Sequence, residues 1–411
     1  MSVLTTPHAT QAAHASRRHN VGFWLVALAF VTAMAFSTVP TPLYAIYQQQ
    51  DGFSTLTVTI VFGIYAVGVV TSLLLAGHVS DWAGRKPVLI TGLFVLTLAA
   101  VVFLIWHALP ALLVARLLSG LGIGTVTATA TAFLNDLHSA SRPHSGRGRF
   151  ELVSTAANIG GLGIGPLVAG FLAQFVDAPL RTPYVVFIAL LLVSVVVVSV
   201  TPETVRPPAE QPRYRPQRVS ADHGDRPGFI AATASAFLAF AIFGVATSLD
   251  PGFVAGTLHQ PSRLLAGAAV FVVFGAAALA QATTMSMSLG GRSAVGLVGV
   301  AVGLVVLVTG MEITSFAAFL TGGAIAGAGA GVLFKSAVGT VAAMAAPAVR
   351  GEALATLFLA AYVGLIVPTL ALGVASQLVD AQTSILWFGA AMLLLAAGAG
   401  ILARGVHTRS R

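Results

Sequence analysis

Long apolar runs follow one another along almost the whole chain and limit what it can fold into. Of its 411 residues, 57% are hydrophobic and 8% are charged, whereas an average soluble domain carries about 25% charged residues. A helix needs roughly 20 apolar residues to cross a bilayer, and these runs lack the alternation of a transmembrane β-barrel. The sequence therefore predicts an all-α integral membrane protein.

Twelve such runs can be placed, six on each side of a polar stretch. The stretch from Thr201 to Pro227 is rich in proline and arginine, as linkers often are. The predicted spans are 21–48, 55–79, 88–107, 111–135, 149–175, 182–200, 228–250, 262–286, 294–312, 314–344, 352–377 and 383–404. The sequence thus predicts an N-terminal tail, a six-helix bundle, a linker, a second six-helix bundle and a C-terminal tail, at residues 1–20, 21–200, 201–227, 228–404 and 405–411.

The net charge of +8 has an uneven distribution. With the N-terminus in the cytoplasm, nearly all Lys and Arg outside the spans lie on the cytoplasmic side, and only Arg181 and Arg263 lie on the other. This bias is the positive-inside pattern, so we expect both termini and the linker in the cytoplasm of a multi-pass cell-membrane protein. The basic excess therefore does not indicate a nucleic-acid partner. The chain has no cysteine, which removes thiolate metal sites, and we expect no metal site or cofactor.

The two sets of six spans are related by a shift of 207 residues. The shift places spans 1 and 2 on spans 7 and 8. It also brings several residues into register, namely Gly84-Arg85 with Gly291-Arg292, and Gly120, Gly122 and Gly124 with Gly327, Gly329 and Gly331. Because these features share one offset, we infer an internal duplication. Ser288 stands at the position that corresponds to Asp81, so only the first copy has the aspartate.

The segment from Gly77 to Lys86 places one carboxylate, a glycine and two cations between two apolar runs. Its sequence is Gly-His-Val-Ser-Asp-Trp-Ala-Gly-Arg-Lys. The spacing resembles the loop between helices 2 and 3 of the major facilitator superfamily of secondary transporters. One position departs from that pattern, because Trp82 stands where the family usually has Arg or Lys.

This resemblance implies a gate at the cytoplasmic face. In that family, the loop aspartate faces the N-terminus of helix 11, and the loop arginine pairs with acids at the ends of helices 4 and 5. Here Asp81 would gain from the positive end of a helix that begins near Gly351, and this contact would stabilise the outward-open state. The predicted gate residues are Gly77, Asp81, Gly84, Arg85, Lys86, Asp136 and Glu151.

Two cations fall inside predicted spans, where a charge costs on the order of 2.5–3.5 kcal/mol on insertion scales. Arg116 begins a glycine-rich run in span 4 that resembles the family's helix-4 motif, whose arginine is implicated in proton coupling. Lys335 lies in span 10. The alternatives are that Arg116 extends to the interface and that carbonyls hold Lys335 for packing. Tyr44 and Tyr47 in span 1 are candidates for the solute pathway, unless they are interfacial aromatics.

Span 5 contains a glycine- and proline-rich segment, whose marked residues are Gly161, Gly165, Pro166 and Gly170. The segment resembles the helix-5 antiporter motif of drug:proton exporters, although Ala169 replaces one glycine and Leu152 another. We expect a kink at Pro166 and close helix packing at the glycines. Small-residue packing without a transport role is the alternative.

Together, the span count, the repeat and the three local motifs resemble a major facilitator transporter. The resemblance implies alternating access at a midplane site between the halves, with a small organic solute, protons and membrane lipid as partners, in a monomer. No GxxxxGK[ST] segment is present, and no catalytic constellation indicates an enzyme. The helix-5 motif and the two cations favour proton-coupled efflux.

Uptake is the alternative, by a solute:proton symporter or a facilitator for a sugar or an organic anion. No acid falls clearly at mid-membrane, so the proton carrier is open between Asp136, Glu151 and Asp250 at span ends. A membrane sensor or scaffold is a further alternative from a different class, but the short tails offer no output domain for it.

Overall fold

The computed structural model describes residues 7–206, 208, 214–219, 225–346 and 349–409. The outermost residues of both predicted tails and part of the predicted linker at 201–227 lie outside the described residues. Throughout the described ranges the regular structure is helical, with no strand. The prediction of an all-α protein is therefore confirmed.

Sixteen α-helices form the described part of the chain. They are α1 Pro7–Thr38, α2 Tyr44–Asp51, α3 Thr55–Ala76, α4 Ser80–Ala83, α5 Arg85–Ile105, α6 Leu109–Ser141, α7 Gly148–Thr155, α8 Gly161–Phe175, α9 Thr182–Ser199, α10 Arg226–Ser248, α11 Asp250–Ala255, α12 Arg263–Thr283, α13 Leu289–Glu312, α14 Phe316–Met344, α15 Arg350–Ala375 and α16 Ala381–Arg409.

Twelve helical segments are long and apolar enough to cross a membrane, as the sequence predicts. Each is one α-helix, with two exceptions. The first span joins α1 to α2 through a 3₁₀ turn at Thr41–Leu43, and the fifth joins α7 to α8 through a π-helical turn at Ala156–Gly160. Pro40 and Pro42 explain the first break, because neither has the N–H that an uninterrupted helix would need.

The internal repeat is visible in the helix packing. On one face of α6, a Cβ on Gly120 would overlap the backbone of α3, and a Cβ on the corresponding Gly327 of α14 would overlap the backbone of α12. On the adjacent face, Gly122 lies against α5 and Gly329 against α13. Each glycine therefore allows two helix backbones to touch, and the same contacts are made once in each half.

The even number of spans returns the chain to the face from which it started. We call the face with both ends of the chain and the α9–α10 linker the terminal face, and the opposite one the far face. The two halves touch toward the far face along two seams, α8 with α12 and α3 with α15. In the first seam, Arg263 Nη1 donates to the Ala173 oxygen at 2.9 Å. In the second, Gly373 lies directly against Thr59.

Candidate transport site and gates

Arg85 is the centre of an ion-pair cluster on the terminal face. It is the first residue of α5, and its guanidinium reaches the end of α6, where Nε donates to Asp136 Oδ2 at 3.0 Å. Nη1 donates to Ser80 Oγ at 2.8 Å and to Asp81 Oδ1. The cluster therefore joins the α3–α5 connection to the end of α6, and Asp136 lies where the sequence analysis placed it.

Glu203 completes this cluster from the end of span 6, and the sequence analysis did not include it. Its two carboxylate oxygens accept from the backbone N–H groups of Arg85 at 3.1 Å and Lys86 at 2.8 Å. These are the first N–H groups of α5, which have no acceptor within the helix. Gly84, with φ 101°, leaves room for the carboxylate, because a Cβ there would approach Glu203 Oε2 to 3.0 Å. A carboxylate at this end also complements the helix dipole.

Asp81 makes its described contact within its own loop. Its side chain is 62% exposed and pairs with Arg85. A linker segment lies at the end of α3 instead, where the Gln217 N–H donates to the Leu74 oxygen at 2.8 Å and the Tyr214 hydroxyl donates to the Leu75 oxygen at 3.0 Å. The contact between Asp81 and the start of α15 near Gly351 remains a prediction for another state. Gly77 ends α3, and Lys86 Nζ donates to the Ser199 oxygen.

Glu151 lies apart from the Arg85 cluster and faces the other half of the molecule. In α7 it is 3.9 Å from Lys335 Nζ of α14. The lysine side chain is largely buried, whereas the glutamate is 43% exposed. The structure thus brings together two residues that the sequence analysis had assigned to different sets. Their pairing crosses the gap between the halves on the terminal side.

Arg116 is fully buried in the first half. Nη1 donates to the Ser37 oxygen at 2.8 Å, while Nε and Nη2 have no partner among the described residues. Ser37 lies in the last turn of α1, whose carbonyls carry partial negative charge and lack helical donors. The guanidinium also lies over three rings, at 4.9 Å from Tyr65 and 5.7 Å from both Tyr44 and Phe62.

The candidate residues Tyr44 and Tyr47 are buried near Arg116, toward the far face. Tyr44 faces Arg116, and Tyr47 stacks on Phe53 with ring centroids 6.1 Å apart. Both hydroxyls are buried without a hydrogen-bond partner in the described ranges, as is that of the neighbouring Tyr184. Neither tyrosine lines an open passage in this state, and their place on the solute pathway stays a prediction.

The glycine-proline segment of span 5 lies between the two halves. α8 runs unbroken through Pro166, and the irregular π turn lies before Gly161. Because Pro166 has no N–H, the Leu162 oxygen lacks its helical donor, and the Thr38 hydroxyl donates to it at 2.9 Å.

The glycines of this segment lie against different neighbours. A Cβ on Gly161 or Gly165 would overlap α1, and one on Gly170 would overlap the Arg263 backbone of α12. The segment thus packs closely against both halves, as expected for small residues in a membrane helix.

An aromatic cluster in the second half went unnoticed in the sequence. The Phe240 ring of α10 lies 4.8 Å from Phe334 and 5.3 Å from Tyr362, and Phe334 is 6.0 Å from Phe358. Phe334 directly precedes Lys335, so the cluster adjoins the buried cation. The spacing of Phe237, Phe240 and Phe243 on one side of α10 was the available signal, but it does not differ from ordinary core packing.

A family model described as the Major Facilitator Superfamily matches residues 25–293. The chain belongs to the Major Facilitator Superfamily. Members of this superfamily are transporters rather than enzymes, and the twelve apolar helices fit a multi-pass membrane protein. The predicted family and the fold of two six-helix repeats are confirmed.

Sequence relatives are similar over short stretches. The multidrug resistance protein MdtL of Klebsiella pneumoniae is 35% identical over 88 residues, which are 21% of this chain and 22% of that protein. MdtL of Vibrio parahaemolyticus is 34% identical over 77 residues, or 19% of each chain. The MFS-type transporter MJ1560 of Methanocaldococcus jannaschii is 26% identical over 133 residues, 32% of this chain and 33% of the other. The chain thus spans between a fifth and a third of the length of these relatives.

Two solved structures share the fold over nearly the whole chain. The nucleoside transporter NupG superposes with a TM-score of 0.70 at 14% identity, covering 93% of this chain and 99% of the other. The human organic anion transporter MFSD10 superposes with a TM-score of 0.66 at 17% identity, covering 94% and 99%. At these identities the likeness concerns the fold of this major facilitator protein and not its solute.

Proposed function

We propose that this major facilitator protein exports a small organic solute across the cell membrane in exchange for protons, acting as a monomer. The proposal takes the terminal face as cytoplasmic, because nearly all Lys and Arg outside the spans lie there. Both termini are then cytoplasmic, and the far face is the outer face. With the outer ends of the halves in contact, solute would enter from the cytoplasm.

The position of the α8 glycine-proline segment carries the proposal for efflux. The segment resembles the antiporter motif, and its glycines pack against both α1 and α12. It therefore lies at the seam between the halves, which must stay closed to water while the site opens first to one side of the membrane and then to the other. Sealing matters for an exchanger, since any open path would let protons return without solute. The local similarity to MdtL, a multidrug resistance protein, is consistent with this direction.

Arg116 is the residue we assign to proton coupling. It is a permanent cation held at the end of α1, and its Nε and Nη2 atoms have no partner in the described part of the chain, so a proton or an acceptor group that arrives nearby changes its partners. Tyr44 and Tyr47 belong to the same buried group. The driving force is sufficient, because one charge moving through 100 mV supplies about 2.3 kcal/mol, close to a fifty-fold gradient.

The solute site we propose lies beside Lys335. The rings of Phe240, Phe334 and Tyr362 offer flat apolar surfaces, and rings of this kind stack on aromatic ligands or attract cations. An aromatic, lipophilic solute suits these walls. The gate around Arg85 would hold the α3–α5 connection rigid while the halves rock.

Uptake of an organic anion is the second candidate, because two cations lie inside the described spans, whereas the buried acid Asp250 lies just beyond the end of one of them. Arg116 and Lys335 would then bind the carboxylate of the solute. The two candidates differ in the direction of proton movement relative to solute.

Proteoliposomes that contain a pH-sensitive dye distinguish them. A pH gradient is imposed, and lipophilic aromatic cations, sugars and organic anions are added in turn. Efflux by antiport predicts that an aromatic cation moves protons in the direction opposite to its own. Proton movement in the same direction as an organic anion would support uptake instead, and silence with folded protein would contradict proton coupling.

A further inference from the structure

The helices α3 and α15 come from different halves and lie side by side, running in opposite directions. At the far face, an ideal Cβ on Gly373 would overlap the Thr59 side chain. About one turn closer to the middle of the membrane, an ideal Cβ on Gly63 would lie 3.6 Å from Ile366 Cγ2, which is an ordinary contact distance. The contact between the two helices is therefore tightest at the far face and loosens away from it.

Residues 214–217 of the linker, which we call the docked segment, lie at the terminal-face ends of the same two helices. The Gln217 N–H donates to the Leu74 oxygen near the end of α3 at 2.8 Å. Its side chain reaches the second residue of α15, because an ideal Cβ on Gly351 would lie 3.1 Å from Gln217 Nε2. Beyond its own helix, such a Cβ would meet no other residue of the described ranges within 4 Å. A single linker residue thus contacts both helices at the terminal face.

The docked segment also completes the hydrogen bonds at the end of α3. The last four carbonyls of a helix have no donor within it. The turn that follows α3 supplies donors to the first and last of these four carbonyls. The two between them accept from the docked segment, Leu74 from the Gln217 N–H and Leu75 from the Tyr214 hydroxyl at 3.0 Å. Each carbonyl at this helix end therefore has a donor, and two of the four donors belong to the linker.

Tyr214 in addition covers the start of the loop that carries Asp81. Its ring stacks on that of His78, with the ring centroids 5.8 Å apart and the planes inclined by 23°. His78 lies two residues beyond the end of α3 and three residues before Asp81. The docked segment therefore contacts both sides of the gap that Asp81 would have to cross to reach the start of α15 near Gly351.

We propose that the docked segment holds the two halves apart at the terminal face, and that it must leave this gap before the halves can close there. Docking and closure exclude each other, because the loop after α3 and the start of α15 cannot meet while the linker lies between them. The proposal rests on the alternating access of the proposed function, but not on the solute, on its direction or on protons. It assigns the linker a regulatory role, since any change that undocks the segment favours closure of the terminal face.

The size of the effect follows from the two donors. A hydrogen bond between neutral groups changes an equilibrium of this kind by roughly twofold to tenfold. Removal of both the Tyr214 hydroxyl and the Gln217 N–H should therefore shift the equilibrium at least about fivefold toward the state that is closed at the terminal face. In alternating access, the same shift opens the far face.

Cysteine accessibility at the far face measures this shift, because the chain has no cysteine of its own. Thr59→Cys places a thiol at a fully buried position of the seam, and Leu378→Cys places one at a residue that is 79% exposed on the same face. Both variants are reconstituted in lipid nanodiscs and labelled with a charged maleimide, without solute or gradient. The ratio of the two labelling rates reports the fraction of molecules that are open at the far face.

We expect the double substitution Tyr214→Phe, Gln217→Pro to raise this ratio at least fivefold, since it removes both donors and keeps the ring on His78. Val219→Pro is the matched control, because it introduces a proline at a residue that is 45% exposed, just outside the docked segment, and it should leave the ratio unchanged. An unchanged ratio in the double variant, or an equal rise with Val219→Pro, overturns the proposal. Should the double variant not fold, Tyr214→Phe alone decides, with an expected rise of at least about twofold.

A distance measurement examines the terminal face directly. Ser139 at the end of α6 and Ser286 between α12 and α13 are exposed there, one on each half. With spin labels on Ser139→Cys and Ser286→Cys, the donor-removing double substitution should increase the population with the shorter distance. Faster labelling of Thr59→Cys without this shorter distance overturns the proposal, since the far face would then open without closure of the terminal face.

These readouts separate the proposal from the proposed function. An unchanged labelling ratio together with intact proton-coupled exchange overturns only the role of the docked segment. The expected labelling and distance changes without any proton-coupled exchange overturn only the proposed function.

Discussion

Arg116 Nη1 donates to the backbone oxygen of Ser37 at 2.8 Å, in the last turn of α1. Pro40 and Pro42 interrupt the helix after Thr38, and the arginine from α6 supplies a donor to a carbonyl of its last turn. The negative end of the helix dipole favours the cation at this point. A buried charge is thus stabilised by a helix end and aromatic rings instead of by a carboxylate.

Replacing this arginine tests its assigned role. We expect Arg116→Ala to reduce pH-driven exchange in proteoliposomes by at least tenfold, because the permanent charge is lost, and Arg116→Lys to retain part of it. The exposed Arg142→Ala is the matched control and should exchange normally. Undiminished exchange by folded Arg116→Ala would remove Arg116 from the coupling mechanism.

The Glu203 carboxylate should contribute to stability through the start of α5. Glu203→Ala leaves the Arg85 and Lys86 N–H groups without this acceptor, and losing a helix cap typically costs about 0.5–2 kcal/mol. We expect a lower melting temperature in detergent. Glu312→Ala, an exposed acid at the end of α13, should melt like the parent, and equal melting of both variants would contradict the capping role.

The close approach of α8 and α1 predicts a sharp difference between two neighbouring glycines. A Cβ on Gly165 would overlap the Ala35 oxygen and the Thr38 side chain, whereas one on Gly160 would meet nothing within 4 Å. Overpacking of this kind costs about 1–3 kcal/mol. Gly165→Ala should therefore lower thermal stability and transport, while Gly160→Ala should not. A similar loss of stability and transport in both variants would indicate that the packing of α8 against α1 is not the cause.

Contact between the halves at the far face can be tested with a crosslink. An ideal Cβ on Gly373 lies 3.1 Å from the Thr59 Cβ, close to the 3.5–4.5 Å range of disulfides. We expect the double variant Thr59→Cys, Gly373→Cys to crosslink under oxidation and stop transport, with recovery after reduction. Each single variant should transport under oxidising conditions. Full transport by the crosslinked protein would exclude rocking at this seam.

The Glu151–Lys335 pair should matter little for stability. The lysine is largely buried, but the glutamate is 43% exposed and the separation is 3.9 Å, so water screens the pair from one side, and screened ion pairs contribute about 0–1 kcal/mol. In a double-mutant cycle with Glu151→Gln and Lys335→Met, we therefore expect a coupling energy below about 1 kcal/mol by thermal unfolding. A larger value would show that the pair fastens the two halves on the terminal side.

Hydropathy and local motifs were sufficient to predict the helices and the repeat, because a membrane span is defined by composition over about 20 residues. The Arg85–Asp136 pair was also predictable, since the loop motif and the end of span 4 can both be recognised in the sequence. The role of Glu203 was not, because a cap depends on where span 6 ends relative to α5. The partnership of Glu151 with Lys335 depends on how the two halves of the molecule face each other, which no local sequence pattern indicates.

Asp250 illustrates the same limit. In sequence it is an acid at the end of a span, where exposure to water is the usual outcome. Its burial arises because α11 packs against α12 and the Asp250 side chain shares a pocket with Leu304 and Phe388, a tertiary arrangement with no local signal. The aromatic cluster around Phe240 is similar, since its rings come from three helices, and Phe240 is more than 90 residues from both Phe334 and Tyr362 in sequence.

The paired glycine faces of α6 have a mechanical consequence. At Gly120 this helix lies directly against the backbone of α3, and at Gly122 it lies against the Leu96 side chain and the Gly92 oxygen of α5, so it cannot slide against either neighbour without a steric clash. The helices α3, α5 and α6 therefore move as one rigid unit. In the second half, α14 forms a corresponding unit with α12 and α13. Movement is thereby confined to the contacts between these rigid units, so a displacement at one end of a unit is transmitted to its other end.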